Sequence, residues 1–353
     1  MYIFSEKLKQ LKPYDPADPA GRLRLDANES FLPLPEGAVE EALRSLPEFN
    51  RYPDPAAKEL CAAFGDFYGV PAENVVAGNG SDELITVLFS AFLQKGEAFA
   101  TVEPDFSMYA VNGFLQEARH VKLQKDSKND FRLDIDKLIE TCNNEHIRLL
   151  IFSNPCNPTS VVCPREDIRR LLRNVSALVV LDEAYMDFSD QSLLPEFQDH
   201  DNLVILRTCS KAVGMAALRL GFAVARRELS DAVRAAKSPY NVNSLSQTVG
   251  AAVLRRKEEL AAARETILQS KAQLVSGLEA IGKDVPGRFR LLPGETNFAA
   301  LVLPDGEAAY RYFWERGVAL RYTGGLLRIT CGKPEENRRV FEVFREYLNQ
   351  TEK

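Results

Sequence analysis

RTCSKAVGMAALRLG, residues 207–221, is the stretch that decides the fold of this chain. The apolar run LVIL that precedes it predicts a strand that leads into a tight polar turn. That turn gathers Ser210, Lys211 and Arg219 at one strand end. A lysine amine attacks an aldehyde only when it is unprotonated, so its reference pKa of about 10.4 has to fall at neutral pH. Nearby cations and burial both lower that pKa.

A hydroxyl group and a guanidinium group beside such a lysine suit a phosphate dianion, because their donors complement its oxygens. An aldehyde that carries a phosphate and is held by a lysine is pyridoxal phosphate, so the stretch predicts a site for that cofactor. Taken alone, Lys211 is more easily interpreted as one of many surface lysines, since charged side chains are mostly exposed. The rest of the chain decides between the two interpretations.

Bulk properties set the limits within which that site has to fit. The chain has 353 residues, enough for a sizeable core and roughly two domains. A net charge of −6 indicates no nucleic-acid partner, and the histidines show no metal-ligand spacing, so we expect no metal. Six scattered cysteines indicate reduced thiols in a cytoplasmic protein. Early charges argue against a signal peptide, and no apolar run approaches the ~20 residues of a membrane helix.

The sequence pattern divides the chain into three parts. Residues 1–45 are rich in proline and poor in apolar periodicity, which predicts an arm that packs with the small domain. Strand and helix patterns alternate through residues 46–265, the predicted large domain. Residues 266–353 change to a smaller α+β pattern, the predicted C-terminal domain. Apolar residues from 247 to about 281 have the spacing of one long helix.

Polar side chains follow the apolar strands of the predicted large domain. Continuous apolar strands separated by helices are typical of a mostly parallel sheet covered on both faces. In such sheets ligands collect at the carboxyl ends of the strands. Asn157, Asp182 and Lys211 each follow a different strand, so one crevice can hold all three.

Three weaker sequence signals for a ligand site lie N-terminal to Asn157. GNGSDE at 78–83 places glycines before a predicted helix, where free backbone amides bind an anion, although an ordinary capped helix explains it too. Phe106 and Tyr109 follow the next strand, and a planar cofactor needs a ring stacked on one face. A core position is the commoner explanation of either residue alone. Tyr52 alone is interpreted as a turn aromatic that caps a helix.

In their joint order the motifs of this chain resemble those of the pyridoxal-phosphate aminotransferases with the aspartate-aminotransferase-like fold, type I. The matching pieces run nearly from end to end: LKPYDP, LDANES, NRYPDP, GNGSDE, EPDFSMY, SNPCNPT, LDEAY, RTCSKAVGMAALRLGF, PYNVNSLSQ, ETNFAAL and LRITCG. Within the class II enzymes of that group, the chain is most similar to the histidinol-phosphate aminotransferases. The resemblance implies an α/β large domain with a mostly parallel sheet and a smaller α+β domain.

The resemblance also implies how the cofactor ring is held. Lys211 would bind the cofactor aldehyde. Asp182 would pair with the pyridine nitrogen and keep it protonated, so that the ring draws electrons. Asn157 and Tyr185 would donate hydrogen bonds to the phenolic oxygen, and Phe106 would stack on the ring.

The cofactor phosphate is implied to have its own set of donors. The backbone amides of Ser81 and Asp82 would hold it together with the side chains of Ser210 and Arg219. Tyr52 would reach the same phosphate from a neighbouring subunit, which implies a homodimer.

For the substrate, Arg328 would bind a carboxylate through both of its oxygens, whereas a salt-bridged arginine at a strand edge is the alternative. Tyr14, Asn28 and Arg321 correspond to residues near the substrate phosphate or backbone. The implied reaction is reversible transfer of the amino group from glutamate to imidazole-acetol phosphate, giving 2-oxoglutarate and histidinol phosphate, in histidine biosynthesis. Ser160 stands where the family commonly has glycine, so the resemblance is weaker in that loop.

Other functions share the cofactor residues. A threonine-phosphate decarboxylase-like enzyme and an aromatic amino acid aminotransferase both use them, so the sequence leaves these two alternatives open. A transcription regulator that senses pyridoxal phosphate without catalysis is a third alternative. Such a regulator carries an added DNA-binding module, for which we expect no room in a chain that begins directly with the arm.

Overall fold

The structure is a computed structural model that describes residues 2–13, 18–46 and 48–350. Within those ranges no helix is both long enough and apolar enough to cross a membrane. The helices are α1 Glu6–Gln10, α2 Ala38–Arg44, α3 Lys58–Tyr68, α4 Ser81–Phe92, α5 Met108–Leu115, α6 Ile135–Asn144, α7 Arg165–Asn174, α8 Arg227–Ala236, α9 Ser244–Leu254, α10 Lys257–Asp284, α11 Gly306–Glu315 and α12 Pro334–Gln350. The strands are β1 Leu23–Arg24, β2 Val75–Asn79, β3 Ala98–Glu103, β4 Arg119–Gln124, β5 Ile147–Ser153, β6 Leu178–Asp182, β7 Leu203–Thr208, β8 Leu220–Ala225, β9 Arg290–Leu291, β10 Phe298–Val302, β11 Val318–Ala319, β12 Arg321–Thr323 and β13 Leu326–Thr330.

A seven-stranded sheet forms the centre of the larger unit, in the order β2-β8-β7-β6-β5-β3-β4. Each neighbouring pair from β7 to β4 is parallel, whereas β8 is antiparallel to both β7 and β2. The predicted mostly parallel sheet is therefore confirmed. Antiparallel β8 follows β7 through the short turn that the opening stretch encodes, because a parallel neighbour would need a long crossover.

Both faces of this sheet are buried. Along β5, Leu150 and Phe152 belong to one apolar cluster, whereas Leu149 and Ile151 belong to the cluster on the other side. Successive strand residues point to opposite faces, so an unbroken apolar run fills both layers. Each such side chain contributes about 1.5–3 kcal/mol when it is fully buried.

A smaller unit is built on a four-stranded antiparallel sheet in the order β12-β13-β10-β9. Helices α10 and α11 pack on it, and α12 packs on both of these helices. Its core includes Phe298, Phe313 and Phe344, each fully buried. The predicted domain boundary between residues 265 and 266 falls inside α10, which continues without a break from the larger unit into the smaller one.

The N-terminal arm contacts both units. Its strand β1 pairs in parallel with β11, and Leu25 belongs to the core of the smaller unit. Its helix α2 instead buries Ala38 and Ala42 in the core of the larger unit, against α9. The arm thus crosses from one unit to the other just beside residues 26–30.

The single long helix predicted over residues 247–281 is wrong. The chain leaves the helical conformation at Arg256, and α9 and α10 are separate helices. Helix α9 packs on α2 and α3, whereas α10 packs on α12 and β10, so the two helices belong to different layers. The apolar periodicity continues across the break between α9 and α10, and no proline or glycine lies at the break. The sequence therefore carries no local signal for it, because the packing partners of the two helices set the change of direction.

Candidate active site

The carboxyl ends of three parallel strands meet at one edge of the large sheet. Asp182, the last residue of β6, lies opposite Ser153 at the end of β5 and opposite Leu206 in β7. Lys211 comes three residues after the end of β7, and Asn157 lies in the turn that follows β5. The structure therefore brings the predicted trio to the same edge, as parallel strand topology requires.

Lys211 is held by the N-terminal arm. Its Nζ donates a hydrogen bond to the backbone carbonyl of Ala27 at 2.7 Å. Burial, together with the cations of Arg328 and Arg219, lowers the pKa of Lys211 to about 8, against the nearby carboxylates of Glu29 and Asp82, which raise it. More of the amine is therefore unprotonated near neutral pH than in an ordinary lysine, and this is the state that attacks an aldehyde.

Asp182 is a buried acid, 4% exposed. Its Oδ2 accepts a hydrogen bond from the Tyr109 hydroxyl at 2.7 Å, and its Oδ1 accepts one from the amide of Ala184 at 3.1 Å. Burial raises the pKa of Asp182 to about 7, outweighing these two hydrogen bonds, which lower it. A cationic N–H beside the carboxylate would lower that pKa again, so the site suits a protonated pyridine.

Tyr185 and Asn28 form a second buried pair in the crevice. The Asn28 amide donates to the Tyr185 hydroxyl oxygen at 2.7 Å, and Thr330 fixes Asn28 through its backbone N–H and its side-chain oxygen. Asn28 has φ of 55°, a left-handed conformation that asparagine tolerates better than most residues. Because the Tyr185 oxygen accepts from Asn28, its own proton remains to be donated. Burial raises the pKa of Tyr185, which keeps that proton in place.

Arg328 connects the smaller unit to the loop that carries Asn157. One guanidinium nitrogen donates to Asn157 Oδ1 at 2.6 Å, and another donates to the backbone carbonyl of Asp26. The amide oxygen of Asn157 is thereby used, so its N–H groups are what it has left to donate to a ligand. Arg321 is the cross-strand partner of Arg328 between β12 and β13, and directly opposed residues point to the same face.

The predicted phosphate donors also come together. Ser81 opens α4, and Arg219 lies over Gly80, so that a Cβ on that glycine would stand 2.6 Å from the guanidinium. A Cβ on Gly221 would stand 2.2 Å from the backbone nitrogen of Ser81. Two missing side chains thus let the helix start, the guanidinium and β8 approach one another. A helix N-terminus with an arginine beside it binds phosphate, so these residues fit the phosphate of the cofactor.

Ser210 and Asp82, the other two predicted phosphate ligands, also have partners within the protein. The Ser210 hydroxyl accepts a hydrogen bond from Thr208 Oγ1 at 3.0 Å and is buried beside the end of β7. The backbone amide of Asp82 belongs to the first turn of α4, as predicted, but its carboxylate also lies 3.5 Å from Arg219. An anion bound at the helix start would compete with that carboxylate for the same guanidinium.

Sequence reasoning considered Tyr109 as a stacking or core aromatic residue and missed its hydrogen bond to Asp182. Phe106, predicted to stack on a ring, is half-buried and packs edge-on against Tyr109, with ring centroids 5.6 Å apart. Tyr109 therefore contacts both the stacking residue and the acid Asp182. The available signal was its position three residues after Phe106, but an aromatic residue at that helical spacing is more often part of a core.

One predicted site residue is exposed away from these side chains, and another falls outside the described residues. Tyr52 is 80% exposed and stacks on Tyr240, with ring centroids 4.4 Å apart and an interplanar angle of 14°. Tyr14 lies outside the described residues. Every other predicted site residue lies at the sheet edge or on the strands and arm that face it.

The chain is similar to known aminotransferases over most of its length. The family model of class I and II aminotransferases matches residues 20–344. The chain is 39% identical to a histidinol-phosphate aminotransferase of Clostridium kluyveri over 345 residues, 96% of each protein. It is 38% identical to the histidinol-phosphate aminotransferase of Clostridium novyi over 351 residues, covering 97% of this chain and 96% of the relative.

Solved structures share the fold. The histidinol-phosphate aminotransferase from Sinorhizobium meliloti in complex with pyridoxal-5'-phosphate aligns with a TM-score of 0.86 at 22% identity, covering 98% of each chain. Aspartate aminotransferase from Thermus thermophilus with maleate aligns with a TM-score of 0.82 at 21% identity, covering 98% of this chain and 99% of the other. The predicted aspartate-aminotransferase-like fold is therefore confirmed.

Proposed function

Because the chain belongs to the class I and II aminotransferases, and is thus a pyridoxal-phosphate-dependent transaminase of small molecules, we propose that it transfers an amino group between histidinol phosphate and 2-oxoglutarate. The products are imidazole-acetol phosphate and glutamate. The observation that carries the proposal is the 39% and 38% identity, over 96% and 97% of the chain, to relatives that bear the histidinol-phosphate aminotransferase name.

The cofactor residues are assigned from the crevice. Bound pyridoxal phosphate supplies an aldehyde for the amino group and a ring that draws electrons from the substrate α-carbon. Lys211 would hold that aldehyde, Asp182 the pyridine nitrogen, and Asn157 and Tyr185 the phenolic oxygen. Phe106 would lie on one ring face. The start of α4 would hold the phosphate, together with Ser210 and Arg219.

Lys211 moves the proton of the substrate α-carbon. Its Nζ, with a pKa of about 8, accepts a proton from the substrate α-carbon in one half-reaction and returns one in the other. To do so it releases the carbonyl of Ala27, its present hydrogen-bond partner. Asp182 keeps a proton on the pyridine nitrogen, since a buried carboxylate is stabilised in its anionic form by a cationic neighbour.

The two substrates place different anions in one pocket. Glutamate and 2-oxoglutarate carry carboxylates, whereas histidinol phosphate carries a phosphate and no carboxylate. A guanidinium fork binds either anion, so Arg328 serves both half-reactions in turn. Arg321 lies beside it on the same face of the small sheet, and with Asn28 and Tyr14 it would complete the phosphate side of the pocket.

We also propose that the protein is a homodimer in which Tyr52 contacts the cofactor phosphate of the partner subunit. The supporting observation is the exposed aromatic pair of Tyr52 and Tyr240, at 80% and 47% exposure. Stacked aromatic residues in water gain from being covered, and such pairs mark interaction surfaces. The same contact would add a hydroxyl donor to the phosphate site.

A substrate panel tests the proposed function. Protein loaded with pyridoxal phosphate is given 2-oxoglutarate with histidinol phosphate, phenylalanine or tyrosine, and glutamate formation is measured. We expect kcat/KM for histidinol phosphate to exceed the others by about 100-fold or more, because losing a substrate group that polar side chains bind is costly. Lys211→Ala is the control and should be inactive with every donor.

The same panel separates the alternatives. Carbon dioxide release from threonine phosphate, without glutamate formation from any donor, would identify a decarboxylase instead. Preference for phenylalanine or tyrosine would identify an aromatic aminotransferase. Binding of pyridoxal phosphate without turnover of any of these compounds would contradict transamination altogether.

A further inference from the structure

A buried ion pair lies beside the carboxyl ends of β3, β4 and β5. Lys125 directly follows β4, and Asp105 lies two residues after β3. Their side chains are 3% and 1% exposed, and the Lys125 Nζ lies 3.6 Å from Asp105 Oδ2. Burying two charges is costly unless both are fully paired, so a pair at this depth needs a complete set of partners.

Lys125 has that complete set. Besides facing Asp105, its Nζ donates to the backbone carbonyl of Pro104 at 3.0 Å and lies 3.1 Å from the Cys156 sulfur. An ammonium group has three donors and no acceptor, and three acceptors surround it here. Asp105 and Cys156 raise the pKa of Lys125 against the effect of burial, so the lysine is charged.

Asp105 uses its acceptors on the backbone of the crevice. Its Oδ1 accepts from the amide of Phe106 at 2.8 Å and from the Ser153 hydroxyl, and its Oδ2 accepts from the Ser153 amide at 3.1 Å. With Lys125 these donors fill the four lone-pair sites of an ionised carboxylate. Burial alone raises the pKa of Asp105, and the lysine and these hydrogen bonds oppose that rise. Since every partner is a donor, the anionic form is the one that fits.

These bonds lead to the residues that face the cofactor. Phe106 is anchored through its amide. The Ser153 hydroxyl in turn accepts from the backbone amide of Asn157 at 3.1 Å, and Asn157 receives Arg328. One carboxylate thus ties together the ends of β3 and β5, and through them the predicted stacking ring, the predicted phenolic-oxygen donor and the carboxylate-binding arginine.

We propose that Asp105, charge-balanced by Lys125, is a positioning residue for cofactor binding that sets the placement of Phe106 and of the Asn157 loop. The inference rests on the proposed cofactor contacts of Phe106 and Asn157, but not on the identity of the substrate. The side chains of Asp105 and Lys125 are themselves almost fully buried. Both act through the backbone, as supporting groups around a ligand site commonly do.

The test uses the full chain loaded with pyridoxal phosphate. Asp105→Asn keeps the size of the side chain but places an N–H where an acceptor is needed. Ser153→Ala breaks the link to Asn157 and leaves the ion pair in place, so it decides the question if the first variant does not fold. Glu196→Gln is the matched control, because it removes a partly buried carboxylate from Arg169 on α7.

Two measurements report on positioning rather than on stability. The first is the cofactor dissociation constant together with the visible absorption of the bound cofactor as a function of pH. The second is the rate at which iodoacetamide labels Cys156, mapped by mass spectrometry against buried Cys142 in the same protein. Phe106→Ala and Asn157→Ala test the proposed contacts directly.

We expect Asp105→Asn to weaken cofactor binding by about 10- to 100-fold, the range for removing a group that orients ligand-contacting residues. Ser153→Ala should have a smaller effect in the same direction. Both should raise the labelling rate of Cys156 relative to Cys142, whereas Glu196→Gln should change neither measurement.

Two results would overturn the inference. If Phe106→Ala and Asn157→Ala alter the cofactor spectrum, but Asp105→Asn and Ser153→Ala leave dissociation constant and labelling at wild-type values, the ion pair is only structural. If Phe106→Ala and Asn157→Ala also have no effect, the proposed contacts fail and the inference fails with them. The substrate panel is unaffected by either result, so the two proposals fail separately.

Discussion

Asp182 shows how a single side chain depends on its nearest neighbours. Its burial in the crevice raises the pKa to about 7, while the hydrogen bonds from Tyr109 and Ala184 act in the opposite direction. An acid poised in this way is half protonated near neutral pH. The Tyr109 hydroxyl therefore has a direct influence on how much of the carboxylate is available to a ring nitrogen.

Tyr109→Phe removes that hydroxyl and keeps the aromatic packing against Phe106. We expect the pKa of Asp182 to rise further, because a hydrogen bond to the charged form is lost. The pyridine nitrogen should then hold its proton less firmly. The expected outcome is a fall in kcat of about tenfold, the lower end for a group that orients a ligand-binding residue. A shift in the pH dependence of the cofactor absorption should accompany it.

Tyr347→Phe is the control for this prediction. Tyr347 is also buried and also donates to a carboxylate, that of Asp305, but in the smaller unit. It should lower stability by about 1.5–3 kcal/mol, as expected for a hydrogen bond to a charged group, without moving the absorption profile. An unchanged profile in Tyr109→Phe would contradict the role of Tyr109.

At the scale of elements, the proposed phosphate site depends on how closely α4 and β8 approach each other. Gly221 opens that contact in β8, because its Cα faces the backbone nitrogen of Ser81. Gly78 and Gly221 are register partners between β2 and β8. The helix start therefore sits on the strand pair without an intervening side chain.

Gly221→Ala should separate α4 from β8. The added Cβ would lie 2.2 Å from a backbone atom, so the backbone has to move. We expect cofactor affinity to fall at least about tenfold and stability to fall by about 1–3 kcal/mol, the usual cost of overpacking. Gly282→Ala in α10 is the control, since its Cβ would make an ordinary contact at 3.4 Å. Equal cofactor affinity in the two variants would contradict this account of the phosphate site.

Helix α10 carries a buried lysine whose effect depends on pH. The Nζ of Lys271 donates to the backbone carbonyl of Phe298, and burial lowers the pKa of Lys271 from 10.5 to about 8. Below pH 8 the ammonium is present in the folded and unfolded states, so the full cost of burying it applies. Between pH 8 and 10.5 the folded state loses the proton first, and that cost disappears.

Lys271→Met tests this linkage by urea unfolding at pH 7 and pH 10.5. We expect the stability of the wild type to rise relative to the variant by on the order of 3 kcal/mol between these pH values, since one pKa unit corresponds to ~1.4 kcal/mol. Lys283→Met changes an exposed lysine on the same helix and should show no such difference. A stability gap that is constant with pH would contradict the buried-cation interpretation.

For the whole molecule, the question is whether one chain contains a complete site. Tyr52 is exposed and stacks on Tyr240, so we expect its predicted contact with the phosphate to be made in a second copy. A residue that acts across an interface can be separated genetically from one that acts within its own chain.

Mixed dimers provide that separation. Lys211→Ala and Tyr52→Ala proteins are each expected to have low activity. In a hybrid dimer, the subunit that retains Lys211 receives Tyr52 from its partner, so one intact site forms. We expect mixing after partial unfolding and refolding to restore activity toward half that of the wild type per hybrid. Activity that stays at the level of the unmixed variants, with hybrids present by mass spectrometry, would show that Tyr52 acts within its own chain or not at all.

Much of this protein was predictable from sequence because its signals are local. Unbroken apolar runs such as that of β7 identify buried parallel strands, and strand topology then places Asp182 and Lys211 at one edge. The helix boundary at Arg256 was not predictable, because α9 and α10 share one apolar period but pack on different layers. The hydrogen bond from Tyr109 to Asp182 was missed for a related reason. An aromatic residue at helical spacing has the same sequence pattern whether it fills a core or donates to an acid.

The sequence alone determined the fold class, the cofactor and the identity of the residues gathered at the strand ends, because strand order and residue chemistry are encoded along the chain. Tertiary structure alone decided the electrostatic state of those residues. Burial moves the pKa values of Lys211 and Asp182 toward neutrality. Distant segments supply their hydrogen-bond partners, Ala27 for Lys211 and Tyr109 for Asp182. Tertiary structure also decided which buried charges support the crevice, because Lys125 and Asp105 meet only when β3 and β4 pair. A pKa depends on the three-dimensional surroundings of a group, and no sequence pattern specifies those surroundings.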